Sequence, residues 1–281
     1  LGGGMLFMPN WSYALPSGGQ VVTNNGTITA GGKVMDITGS GNVAIDWNSF
    51  NIAADEIVNF KNMQAVLNYV SGGSKSEIFG KLNGAGVNVF LVNPNGILFG
   101  KTAQVNVGQL TASTRSLEKA ALNSFNGSLS PLDAGGAANV KADIINLGKL
   151  KAGKLVLEGN NLSIIGSDSL EVADKSKITL RAGENINIGY EVTDKTTIDV
   201  GDGKGNTHQV SDYGKGGGDK ASDVLSTASV TDLKGSAKSI NDAMLVHDVY
   251  ELQAIDRNTG TINGSSYVVG NYMLAGDIDA G

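Results

Sequence analysis

The chain has 281 residues with 40 Gly, 4 Pro and no Cys; hydrophobic residues make up 41%, aromatics 6%, and the net charge is −6. Without Cys there is no disulfide framework and no thiolate metal site, and an acidic chain lacks the basic face that nucleic acid needs. The length suits one large elongated domain or two ordinary ones. A core short of aromatics must be built from Val, Ile, Leu and Ala, which favours stacked thin layers over a globule.

The chain holds no run of about 18 apolar residues, so no transmembrane helix is predicted. Lys and Asp are scattered, which leaves no polybasic segment for a membrane surface. The absence of Cys is compatible with passage, unfolded, through an oxidising compartment.

In chain order, Leu1 to Ala14 is apolar and ends in Ser12-Tyr13-Ala14. Small residues at that spacing before Leu15 fit a secretory cleavage site, so residues 1–14 are read as the tail of a signal peptide and the protein as exported. From Gln20 to Ile57 come short alternating segments divided by Gly and Asn: Gln20–Val22, Gly26–Thr29, Val34–Ile37 and Val43–Trp47. Trp47 and Phe50 are expected to cover one end of the core; a sugar-binding platform is the sharper alternative. Glu56–Phe60 and Glu77–Gly80 continue the strands. Between them Met63, Val66, Leu67 and Val70 have helical spacing, although β-rich surroundings favour extended structure.

Val87–Val92 then leads to Asn93-Pro94-Asn95-Gly96, close to an ideal β-turn. Asn93 can bond the backbone two residues on, Pro94 pre-sets φ near −65°, and Gly96 supplies φ > 0 where a strand restarts as Ile97-Leu-Phe99. Ala103–Ala112 is a clear period-2 strand. Ser113–Phe125 reads as a short helix or an excursion from the main body, and Gly127–Gly136 as loop.

The sequence next repeats itself. Lys154–Gly166 matches Lys177–Gly189 at an offset of 23 residues (177 − 154). Leu155 pairs with Ile178, Leu157 with Leu180, Ile165 with Ile188 and Gly166 with Gly189, and Asp143–Gly148 resembles the end of the same unit. A unit this short cannot bury its own apolar face and must stack on its neighbours, so the period predicts a solenoid. A parallel β-helix fits best: inward columns of Val, Ile and Leu, with Asn stacked in hydrogen-bonded ladders at the corners. An antiparallel sandwich is the runner-up. Gly201–Gly218 reads as a long loop or insertion. Asp199, Asp202, Asn206 and Asp219 in and around it do not have the spacing of a calcium loop. Ala243–Ile255 reads as a strand running into a short amphipathic helix, and Tyr267-Val-Val and Tyr272–Asp279 as strands. The chain then stops without a cap, and the natural protein is expected to continue.

No catalytic constellation emerges. His208 and His247 stand far apart and form neither a metal site nor a triad. The enzyme alternative is a β-helical polysaccharide lyase or hydrolase, which needs converging carboxylates. Asp143, Glu158, Glu171, Asp174 and Glu184 are available, but a coil corner facing water explains each.

Around the turn the pattern becomes specific. Val89–Thr114, with Asn93-Pro94-Asn95-Gly96-Ile97 at its centre, closely resembles the secretion domain of two-partner-secretion exoproteins, the filamentous-haemagglutinin-like adhesins. Ile45–Ile52, Val58–Phe60 and Ser76–Asn83 are similar to it too, and Leu15–Val22 resembles the usual mature start. The resemblance runs from about residue 15 to 190, and residues 246–281 resemble a repeat found downstream in such adhesins. One departure is that Asn59–Leu67 lacks the second Asn-Pro-Asn-Leu motif that part of the family carries.

The resemblance implies an all-β, right-handed parallel β-helix with an N-terminal cap and extra-helical strands. The domains it implies are 1–14 as signal-peptide remnant, 15–245 as the secretion domain and 246–281 as the start of a truncated repeat. It implies a non-enzymatic export signal for a large exoprotein at the outer surface of a Gram-negative-type bacterium. The partner would be a cognate outer-membrane β-barrel transporter acting through periplasmic domains. Downstream regions would meet host-cell or glycan receptors. No cofactor, metal, nucleic acid or membrane insertion is implied, and the domain would be a monomer. Asn93, Pro94, Asn95, Gly96 and Ile97 carry the transporter-recognition or folding role.

Overall fold

Short period-2 segments separated by turn residues bury one side chain in two, and stacking those buried side chains in register generates the fold. The structure, a computed structural model, describes residues 15–132, 140–199, 204–215, 217–257 and 271–275. The signal-peptide segment 1–14, Asp202, Gly216, the strand expected at Tyr267 and most of the repeat expected over 246–281 lie outside the described residues.

The chain winds as a parallel β-helix. It begins with β1 (Gln20–Val21) and β2 (Gly26–Gly31), which pair antiparallel with β4 (Asn42–Trp47) and β3 (Val34–Gly39) respectively and cap the N-terminal end. Successive coils follow: β5 (Ile57–Lys61), β6 (Ala65–Val70) and β7 (Ser76–Ile78); β8 (Lys81–Val92) and β9 (Ile97–Phe99); β10 (Gln104–Ser113) and β11 (Ile144–Asn146); β12 (Lys149–Gly159) and β13 (Leu162–Ile164); β14 (Leu170–Glu171), β15 (Ile178–Ala182) and β16 (Ile186–Tyr190). After β16 an antiparallel hairpin leaves the stack as β17 (Lys195–Asp199) and β18 (Thr207–Ser211). The short helix α1 (Ala221–Val224), β19 (Ser229–Thr231), β20 (Asn241–Val246), helix α2 (Val249–Arg257) and β21 (Asn271–Leu274) complete the described chain.

Two long sheets result. One runs β1-β4-β6-β8-β10-β12-β15-β19, with β2, β3, β5 and β14 attached; the other runs β21-β20-β16-β13-β11-β9-β7. Pairing between coils is parallel throughout, so each inward position recurs one coil later. Val43, Val66, Val89, Leu110, Leu155 and Ile178 stand in one such column, all buried. Each contributes about 1.5–3 kcal/mol of burial. The helical spacing at Met63–Val70 is realised as the strand β6, all six of whose residues are buried. Two packed neighbours on either side override local periodicity.

Side-chain ladders of Asn form at the corners, as expected, and also along the strand faces of β3, β5 and β8. Asn83 Nδ2 donates to Asn59 Oδ1 at 3.0 Å and Asn59 Nδ2 to Asp36 Oδ1 at 2.9 Å. Asn185 and Asn161 repeat this at 3.1 Å, and Asn161 donates to Asp143 at 3.1 Å. Each amide is both donor and acceptor, so one residue type can be repeated from coil to coil.

Two readings of the sequence need correction. The 23-residue offset holds for Leu155–Ile178 and Leu157–Leu180, but the next strand pairs Ile164, not Ile165, with Ile188. The corner Gly183-Glu184-Asn185 carries one residue more than Asn160-Asn161, which shifts the register and turns Ile164 inward. The Gly201–Gly218 segment is not all loop: Thr207–Ser211 forms β18, held by Lys195–Asp199. Ser113–Phe125 is an excursion that contains a short 3₁₀ helix at Lys119–Ser124. Its Leu117, Leu122 and Phe125, with Leu129 and Leu132, cover the outward face of Ala44, Leu67, Tyr69 and Val92. Trp47 and Phe50 meet edge to face at 5.5 Å at the capped end of the core.

Candidate functional site: the Asn93–Ile97 corner and the row beside it

The motif residues sit between β8 and β9, at the corner where the chain passes from one sheet to the other. Gly96 N bonds Asn93 O at 3.1 Å, closing the β-turn. Asn93 Oδ1 accepts Asn95 N at 2.9 Å, the local bond that Asn favours at a turn start. Gly96 has φ +112°, and a Cβ there would stand 3.3 Å from Asp143 O, so only Gly fits without strain.

The turn is also bolted to both neighbouring coils. Asn93 Nδ2 donates to Ser74 O and to Ser76 Oγ, both at 3.0 Å, and Asn95 Nδ2 donates to Gly72 O at 2.8 Å. On the other side Asn93 N reaches Ser113 O at 3.0 Å and Ile97 N reaches Asp143 O at 3.2 Å. Asn93 is fully buried, Ile97 lies in the core, Pro94 is half-buried and Asn95 is exposed. The corner thus brings all five motif residues together, with the Asn93 side chain spent on internal bonds.

Beside it runs a row that the sequence reading missed. Val92, Ser113, Glu158 and Arg181 are paired in register across four coils. Glu158 is only 3% exposed. Its Oε1 accepts Ser113 Oγ at 2.7 Å and Arg115 Nε at 2.9 Å, and its Oε2 accepts Arg115 Nη2 at 2.7 Å and Arg181 Nη1 at 2.9 Å. Burial alone would raise its pKa, but the two guanidinium groups and the Ser113 hydroxyl outweigh burial and hold the carboxyl below its ordinary range. The expectation that a coil corner facing water explains Glu158 is therefore wrong. It is the buried anchor of the 113–143 excursion, fixing Arg115 where the chain leaves β10. The signal was present in the repeat: Arg181 stands 23 residues after Glu158 and so lies one coil above it.

A second carboxylate cluster closes the last described coils. Glu251 of α2 accepts Ser211 Oγ at 2.6 Å, Tyr213 Oη at 3.0 Å and His247 N at 2.8 Å, and lies 2.9 Å from His247 Nδ1. Burial opposes its charge, but these donors prevail and set its pKa at about 2. His247 Nε2 faces Glu191 Oε1 at 3.0 Å. Burial lowers the His247 pKa, but its two carboxylate partners, Glu251 and Glu191, raise it by more, leaving it above the ordinary value. Burial and the adjacent Glu251 push the Tyr213 hydroxyl up. Both carboxylates are saturated with donors from the fold, an arrangement that fixes chain segments rather than transfers protons.

Residues 12–268 match the family described as the TPS secretion domain. The chain is 33% identical over 177 residues to a heme/hemopexin-binding protein of Haemophilus influenzae, covering 61% of this chain and 19% of the relative. It is 41% identical over 99 residues to a second Haemophilus influenzae heme/hemopexin-binding protein, covering 34% of this chain and 11% of that one. The chain thus spans less than a fifth of the length of these relatives. Among solved structures it is similar to the HMW1 secretion domain of Haemophilus influenzae, 19% identical with a TM-score of 0.44, over 82% of this chain and 68% of that one.

Proposed function

Because the chain belongs to the two-partner-secretion (TPS) secretion-domain family, we propose that it directs a large exoprotein through a cognate outer-membrane β-barrel transporter. The family match over most of the chain carries the reading. In it, residues 1–14 end a signal peptide, periplasmic domains of the transporter take up the segment, and the mature protein is displayed outside the cell. The segment performs no catalysis; its work is to be recognised and then to fold.

The Asn93–Ile97 corner acts in this reading chiefly through folding. Support comes from its bonds: Asn93 is buried and its amide is consumed by Ser74, Ser76 and Asn95, so in the folded state only Pro94 and Asn95 present surface to a partner. The corner joins three coils, and coils form only by stacking, so fixing it early nucleates the rest.

The test coexpresses the chain with its transporter and compares Asn93→Ala with Asn95→Ala. Export should fall with loss of stability, hence more for Asn93→Ala. An Asn95→Ala variant that folds with wild-type stability and rate yet fails export overturns the folding role and makes the exposed amide a recognition element.

A further inference from the structure

Edge strands of natural sheets are usually guarded against pairing with other chains by charge, Pro, bulges or shortness. β2 has none of these guards. Its residues Gly26-Thr-Ile-Thr-Ala-Gly31 include no charge and no Pro, and the first charged side chain in the whole sequence is Lys33. Six successive pairs join it to β3 without a register shift, from Gly26–Gly39 to Gly31–Val34. Among the described residues β2 pairs with no other strand.

The ladder identifies which main-chain groups face outward. In an antiparallel pair, residues alternate between bonding their partner and directing N–H and C=O away from it. Ser40 N bonds Asn25 O at 3.1 Å, so in the same register Thr27 and Thr29 bond Thr38 and Asp36. Gly26, Ile28 and Ala30 then direct their N–H and C=O to the open edge. Side chains alternate the other way: Ile28 packs against the core, while Thr27 and Thr29 are exposed. The result is a row of main-chain donors and acceptors from Gly26 to Ala30, about 14 Å long, flanked by hydroxyls suited to cross-strand pairing with Thr or Ser.

We propose that the outer edge of β2 is a strand-addition site for an extended, uncharged segment of a partner protein. Main-chain bonds at Gly26, Ile28 and Ala30 supply the attachment. The lack of charge on the edge selects a strand that is itself uncharged and rich in β-branched residues. Among the described residues no second strand covers this edge, and strand addition here does not depend on export.

The experiment follows amide hydrogen exchange by NMR in the full chain, with and without a capped heptapeptide of alternating threonine and valine. Saturating peptide should slow exchange at Ile28 and Ala30 by about tenfold or more. Ala30→Pro removes one outward N–H where an edge tolerates Pro, and Thr29→Lys places a charge on the edge; each should abolish the slowing while circular dichroism stays unchanged. Thr29→Lys carries the test alone if Ala30→Pro fails to fold. The proposal is overturned if the peptide slows neither amide. It is equally overturned if both are protected without peptide in dilute protein, because the chain then covers its own edge, or if protection without peptide grows with protein concentration, because a second copy is then the occupant.

Discussion

Asn93 and Ser76 meet across the boundary between two coils, with Asn93 Nδ2 donating to Ser76 Oγ at 3.0 Å and both residues fully buried. Truncating Asn93 therefore leaves the buried Ser76 hydroxyl without this bond and also removes the bonds to Ser74 O and Asn95 N. Asn93→Ala should destabilise the domain by about 2–4 kcal/mol. Asn95→Ala loses an exposed bond to Gly72 O and should cost about 1 kcal/mol or less. Denaturant unfolding of the two variants measures the difference. Equal costs would show that the buried half of the turn is not its anchor.

Glu158 gives the next prediction. Removing its carboxylate takes from Arg115, whose side chain is 14% exposed, the two hydrogen bonds and the ion pair it makes with Glu158. Glu158→Ala should cost about 3 kcal/mol, and Glu158→Gln less, since one acceptor oxygen remains. The folded carboxyl titrates below its unfolded value of 4.5. Its stabilisation is therefore present above pH 4.5 and is lost as pH falls below it. Acid titration of stability in the wild type and Glu158→Gln should differ below pH 4.5; superimposable curves would remove Glu158 from the account.

Much of this fold was legible because a solenoid writes its register into the sequence. Columns such as Leu155–Ile178 follow from a repeat offset, and the Asn ladders from one residue type recurring at corners. The turn at Asn93 was legible because each of its residues has a local steric reason. What escaped depends on insertions and on distance. One added residue at Gly183-Glu184-Asn185 moved the inward position from Ile165 to Ile164. Glu158 and Arg115, 43 residues apart, meet only because the excursion returns to its starting row. Thr207–Ser211 read as loop because its polar side chains hide a strand whose partner is β17.

Close backbone approach predicts the effect of Gly72→Ala. A Cβ at Gly72 would stand 1.8 Å from Asn48 O, and Gly72 O is itself the acceptor for Asn95 Nδ2. The coil must move, so the variant should lose about 2–4 kcal/mol and loosen the Asn95 bond. At the adjacent Gly73 an added methyl would meet nothing within 4 Å, so Gly73→Ala should lie within about 0.5 kcal/mol of wild type. Thermal unfolding of the pair checks this, and a tolerated Gly72→Ala would mean that the coil yields easily.

The layer formed by α2 and the β17–β18 hairpin should have a pH window of its own. Glu251 is depressed to about 2, so its contribution is complete above its unfolded value of 4.5 and is lost as pH falls toward 2. His247 is raised above 6.5, so its contribution is complete below 6.5 and is lost as pH rises through the folded value. The neutral imidazole still donates from Nδ1 to Glu251, but Nε2 then turns a lone pair toward Glu191 and that arm opens. The other charged groups nearby are Lys195, 3.8 Å from Glu251, and the His208–Asp248 pair at 3.9 Å. Exchange protection in 207–213 and 249–257, corrected for intrinsic rates, should therefore peak between about pH 4.5 and 6.5. In His247→Gln the alkaline fall should shrink while the acid fall, which belongs to Glu251, remains. An unchanged alkaline fall in that variant would remove His247 from the account, and Glu191→Gln, which opens the same arm from its other side, should reproduce the shrinkage seen in His247→Gln.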